Sequence, residues 1–346
     1  MIVLPKMEKY YEREITEKIN MCTEKGELNP ESIGWARAPL FNCNLSSRWS
    51  RKKKWNYWCT TSEDCLFSVT ISNLDYAGMV FIYFLDFKTK QFIEKTIMTP
   101  FGKGCKMPDN VYESVSFKDS VIELSLLQEQ NGTHIIASCK DFEGLSMEAD
   151  IFVNRPEGHE TLNVVIPWNK KTFQFTSKQE ALPSSGVLRV GEHSYSFNTE
   201  DSFSCLDFGR GIWPYKVTWN WGNASGMVGG KSFGLNLGAK WTDDTGMNEN
   251  AFVLDGKLTK ISEDVTFKFN AQNIMESWLI ESCATDSVRL KFTPFYERVA
   301  KSDVLIIKSE VHQMVGHFSG YVKTADGEKV EIEKLLGCAE DHVAKW

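Results

Sequence analysis

The tightest constraint on this chain is a hydrophobic period of two. Residues 66–73 set Phe67, Val69 and Ile71 at alternate positions, and 78–87 form a longer apolar run. That spacing lines up side chains on one face of a pleated strand, whereas a helix would scatter them around its circumference. The pattern returns at 92–98, 114–117, 121–127, 133–139, 147–154, 162–167 and 173–176, with Asn110, Lys118-Asp119 and Asn131-Gly132 as turns between runs. A second series occupies 187–190, 194–197, 204–208, 232–241, 251–254, 265–269, 277–281, 288–292, 304–307, 311–322 and 330–336. Asp255-Gly256 and Asp326-Gly327 separate such runs as two-residue hairpin signals. Helical spacing is confined to residues 6–20 and 214–221. The expected fold is all-β: two antiparallel barrels or sandwiches packed together. The expected organisation is an arm with a short helix over 1–30, a first domain over 31–182 and a second over 183–346, with Leu182-Pro183-Ser184-Ser185-Gly186 as the crossing.

One stretch concentrates unusual residues. It is Leu206-Asp207-Phe208-Gly209-Arg210-Gly211-Ile212-Trp213-Pro214-Tyr215, followed by Trp219-Asn220-Trp221. Asp207 and Arg210 read as an ion pair across a tight turn. Gly209 and Gly211 read as positions that need positive φ or close approach by another segment. Pro214 fits the first position of a short aromatic helix near 214–221, in which Tyr215 would share a face with Trp219, and Val217 with Trp221.

Composition excludes several function classes. Lys and Arg total 39 against 46 Asp and Glu, a net charge of −7, so a nucleic-acid or anionic-membrane partner is not expected. The longest apolar runs, such as 77–85, fall far short of the ~20 residues that cross a bilayer as a helix. Met1-Ile2-Val3-Leu4 is followed at once by Pro5, unlike a secretion signal, and the nine scattered cysteines read as reduced, buried hydrophobes. A cytoplasmic protein is the expectation. Gly226-Met227-Val228-Gly229-Gly230-Lys231-Ser232 superficially resembles a phosphate loop, but the first glycine of that pattern would fall at position 225, which is Ser225. No Gly-x-Ser-x-Gly elbow occurs, and none of the six histidines pairs at the spacing of a helical zinc site, so neither a metal nor another cofactor is expected.

Nine segments standing in order carry a resemblance. Among them are Gly34-Trp35-Ala36-Arg37-Ala38-Pro39, Lys53-Lys54-Trp55-Asn56-Tyr57-Trp58, Val165-Ile166-Pro167-Trp168, Leu206 through Pro214, Leu237-Gly238-Ala239-Lys240-Trp241, Asn248-Glu249-Asn250-Ala251 and Gly316-His317-Phe318-Ser319-Gly320. Together they resemble the family catalogued as domain of unknown function 2804. That family is distantly similar to carotenoid hydratases and related double-lipocalin proteins. The resemblance implies two lipocalin-like barrels and a bulky, apolar, isoprenoid- or lipid-like ligand, without transferring a reaction.

The candidate catalytic residues are Glu249, Asp207 and His317. Glu249, lining an aromatic cavity, would be pushed up by desolvation and suited to proton transfer; as a rim carboxylate it would be structural. His317 sits inside a family-like motif and can equally be a satisfied core histidine. The candidate ligand-binding residues are Arg210, Trp213, Tyr215, Trp219, Asn220, Trp221, Trp241, Asn250, Trp35, Arg37 and Trp58. Their aromatic faces could shelter a developing cation or simply fill the packing between barrels. Three readings remain open: a cofactor-free hydratase or isomerase, a non-catalytic carrier of an apolar metabolite, and a carbohydrate-active protein with two carboxylates across a cleft.

Overall fold

The computed structural model describes residues 12–304 and 307–345. They form two large curled sheets and a small ribbon. A 13-stranded sheet gathers the strands from Trp35–Ala36 to Phe203–Ile212, and a 9-stranded sheet those from Lys216–Val228 to Lys329–Lys345. Pairing within both is antiparallel; the ribbon of Ile19–Asn20 with Phe41–Asn42 is parallel.

Each sheet curls around its own core. In the first, Val69, Ile71, Ile82, Phe84, Phe175 and Phe208 point inward. Phe117, on an edge strand, packs against Gly104 just beyond the opposite edge, so the edges approach each other. In the second, Phe233, Leu235, Trp278, Phe292 and Phe318 fill the interior, and Gly222 leaves room for Phe267 from across the curl. Alternation then sends the intervening side chains outward, and the two sheets meet through those outer faces.

The long strand Thr172–Val190 makes the corner of the first sheet. Its beginning pairs with Leu162–Asn169 and Phe203–Ile212, and its end with Leu145–Asn154 and His193–Phe197. The register slips between Gln179 and Leu182, where Ala181 takes φ 56°. A bulge of this kind bends a strand without breaking it. Residues 182–186, expected as a linker, therefore lie inside a strand. The chain passes between sheets at 213–215 instead.

Two helical expectations are corrected. Residues 12–20 hold no helix; the earlier part of the expected arm lies outside the described residues. Ile15 N donates to Trp35 O at 2.6 Å and Ile19 N to Leu40 O at 2.9 Å, so the backbone spends its hydrogen bonds on neighbouring segments. The one helical turn among the described residues is a 3₁₀ turn at Pro30–Ser32. The expected aromatic helix at 214–221 is the start of the strand Lys216–Val228, which is laddered on both sides. Pro214 precedes the ladder, where its missing N–H costs nothing. Val217, Trp219 and Trp221 thus share one face.

The Asp255-Gly256 hairpin is found as expected, with φ of 50° and 75°, the signs a type I′ turn requires. Asp326-Gly327 lies in a wider loop between Lys323 and Lys329. No cysteine is paired; eight are buried and Cys283 is exposed. No helix among the described residues is long and apolar enough to cross a membrane.

Candidate functional site

The site follows from which way each strand residue faces. On Thr172–Val190, Phe173 and Phe175 enter the first core, so Gln174, Thr176 and Lys178 project toward the second sheet. On Phe203–Ile212, Phe208 points inward and Asp207 outward. The second sheet answers with Trp219, Trp221, Gln313 and Glu340, while Trp241 and Glu249 come from either side of the turn after Lys231–Ala239. Between them lies a cavity of about 190 Å³.

Lys178 is the electrostatic centre. Its Nζ stands 3.0 Å from Asp207 Oδ1 and 3.2 Å from Glu249 Oε2, and 4.6 Å above the Trp221 ring. Burial alone would lower its pKa; Asp207 and Glu249 outweigh burial and hold it above the usual lysine range. Thr176 Oγ1 donates to Asp207 Oδ1 at 3.2 Å, and Trp241 Nε1 to Glu249 Oε1 at 2.7 Å. Glu249 is pushed up by burial, against the pull of Lys178. Its carboxylate lies so close over Gly238 that any Cβ there would collide with it.

A third carboxyl faces the same cavity. Burial raises Glu340 to about 7, although the hydrogen bond from Trp219 Nε1 to its Oε1, 2.7 Å, favours the charged form. Gln313 Nε2 reaches its Oε2 only at 3.4 Å. His342, beside Trp219 with ring centres 3.8 Å apart, is lowered to about 3 by burial and by Arg298. The walls are aromatic: Trp213 stacks on Trp241 at 5.6 Å and tilts against Trp219 at 6.0 Å. Two buried polar atoms on the walls, Thr70 Oγ1 and Gln174 Nε2, have no hydrogen-bond partner among the described residues.

Six of the expected residues therefore converge here: Glu249, Asp207, Trp213, Trp219, Trp221 and Trp241. The others do not. Arg210 sits on the inner face of its strand, three residues from Asp207, so the expected ion pair does not form. Regular strand geometry puts positions an odd number apart on opposite faces, and the expected turn is absent. Gly209 and Gly211 are explained by close approach, since Cβ atoms there would strike Trp55 and Gln174. Trp58 is packed in the first core. Trp35 donates to Glu12 O, and Arg37 bridges Glu14 and Glu160. Asn220 binds Asp341, Asn250 accepts from Gly238 N, and Tyr215 is exposed. His317 lines a different cavity. Among the described residues no cluster of three or more His, Cys, Asp or Glu has the arrangement of a metal site.

The sequence profile described as Domain of unknown function (DUF2804) matches residues 12–346. The chain belongs to this family. Solved structures similar to this DUF2804 chain include an AttH protein from Nitrosomonas europaea, at 9% identity and TM-score 0.49, covering 85% of this chain and 92% of that one. Kievitone hydratase from Nectria haematococca is similar at 8% identity and TM-score 0.45, covering 85% and 88%. CghA is similar at 10% identity and TM-score 0.45, covering 89% and 92%. No curated protein matches the DUF2804 sequence.

Proposed function

We propose that the cavity between the sheets binds a compact apolar molecule and that Glu340 protonates a carbon of it, making the chain a cofactor-free hydratase or isomerase of an isoprenoid- or lipid-like alkene. The observation that carries this reading is a carboxyl group titrating near 7 among tryptophan faces, beside a void. In such a step the alkene π pair takes the proton from Glu340 and leaves a carbocation. The ring faces and the Asp207 and Glu249 carboxylates lower its energy. Water addition followed by loss of a proton gives hydration; direct loss of a proton from the neighbouring carbon gives isomerisation. Thr70 Oγ1 and Gln174 Nε2 need partners, as buried polar groups do. They would hold the attacking water or a hydroxyl of the guest.

Size narrows the guest. An apolar protein cavity of about 150 Å³ takes up benzene, so about 190 Å³ admits a single ring or a short branched unit. A bulkier isoprenoid would insert only one end. The sugar-active reading calls for an open polar groove, and the tryptophan walls favour an apolar guest instead. A non-catalytic carrier is the second reading, because Lys178 pairs with two of the three carboxylates and holds them in place. The test is incubation of the protein with its co-purified guest in deuterium oxide. The catalytic reading expects one deuterium on a guest carbon, lost in Glu340→Gln with binding retained. Binding without deuterium in the wild type would leave the carrier.

A further inference from the structure

A second cavity, of about 620 Å³, shares no lining residue with the first. Three local irregularities point side chains into it. In Val288–Val304 the register against the next strand slips between Pro294 and Tyr296, which leaves Phe295 as the extra residue. In Lys329–Lys345 a second slip, opposite Phe318 and Gly320, coincides with φ 54° at Lys334. In the turn after Ala77–Asp86, Lys90 takes φ 61°. Bulges re-aim side chains, and each left-handed non-glycine residue costs on the order of 1 kcal/mol that the surrounding structure must supply. Here both such residues are lysines lining one cavity.

Their surroundings define a chemistry. Lys90 Nζ stands 4.0 Å from the centre of the Phe295 ring, which meets Phe87 edge-on at 5.4 Å and His317 at 5.3 Å. His317 is depressed by burial and then by the charges of Lys334 and Lys90, which places both ammonium groups near it. Glu63, Asp201 and Glu333 also line the cavity. Even so, among the described residues no carboxylate comes within ion-pair distance of either lysine. Two lysines with no carboxylate in direct contact, beside phenylalanine rings, suit a flat molecule with a negative end.

We propose that this cavity binds an aromatic carboxylate, with its anionic group between Lys90 and Lys334 and its ring against Phe295 and Phe87. Calorimetric titration with 2-naphthoate and with its methyl ester tests this. The acid is expected to bind about tenfold more tightly than the ester. The Lys90→Met/Lys334→Met double variant should abolish that difference while leaving ester affinity unchanged. Equal affinity for acid and ester in the wild type would overturn the proposal, as would undiminished naphthoate binding by the double variant or no binding of either probe. Both lysines are exposed, so the double variant should fold; the wild-type comparison stands without it.

Discussion

Two cations are buried on neighbouring strands of the first sheet, and they are held in opposite ways. Arg210 is enclosed by neutral acceptors: Pro108 O at 2.8 Å, Trp55 O at 2.7 Å, Gly209 O at 2.8 Å and Asn56 Oδ1 at 2.8 Å. Its guanidinium lies 3.6 Å over the Phe208 ring, and burial lowers its pKa to about 9. Lys178, on the outer face, is held by two carboxylates beside a void. The guanidinium spends four of its five donors tying together buried segments, and it faces the core of its own sheet instead of the cavity. The ammonium concentrates charge where a guest would sit. A buried charge is thus architectural or functional according to what else shares its surroundings, and one strand, Phe203–Ile212, serves both through its two faces.

The comparison can be broken most severely at Arg210. Arg210→Met removes four buried hydrogen bonds and should cost about 3–5 kcal/mol, read as a fall in denaturant midpoint. A loss below about 1 kcal/mol would mean the guanidinium is not the tie it appears in the geometry. Lys178→Met should cost about 3 kcal/mol near neutral pH, since it strands Asp207 and Glu249. Adding Glu249→Gln should recover part of that loss, as should acidification, because protonation relieves buried carboxylates. Recovery by neither would show that Lys178 matters through packing alone.

Glu340 sharpens the contrast through pH. Its folded pKa, about 7, lies above the ordinary 4.5, so the folded state binds the proton more tightly. Relative to a neutral side chain, stability is fully retained below about 4.5 and falls as pH rises through about 7, by on the order of 3 kcal/mol. Glu340→Gln should flatten that slope in a series of thermal melts, and any proton delivery by the wild type should decline above about pH 7. The smallest effect is expected from Gly238→Ala, which displaces the Glu249 carboxylate at a cost of about 1–2 kcal/mol. Guest binding should suffer more than stability does.

The period of two made the β fold legible, and the hairpin at Asp255-Gly256 announced itself through turn chemistry. The tryptophans and Glu249 could be singled out because their residue types are rare in such a pattern. Gly209 and Gly211 on either side of Arg210 suggest a turn that would bring it to Asp207; on a straight strand those glycines make room for Trp55 and Gln174. Lys178 was hidden by the proline and serines at 183–185, which look like a linker and obscure a strand of 19 residues. Carried forward, the alternation of Phe173 and Phe175 puts Lys178 on the opposite face. Glu340 escaped because the last strand continues to Lys345 through Asp341 and His342, where alternation gives no cue. The value of its pKa depends on burial between two sheets, which no local pattern records.

The central claim is that the space between the outer faces of the sheets belongs to an apolar guest. Native mass spectrometry of the protein purified from its own cells tests it directly, alongside a Thr70→Phe variant that fills the cavity and still unfolds cooperatively. The account predicts one small apolar molecule bound per wild-type chain and none bound to the variant. A wild-type chain that flies bare, or a variant that carries the same load, would contradict it.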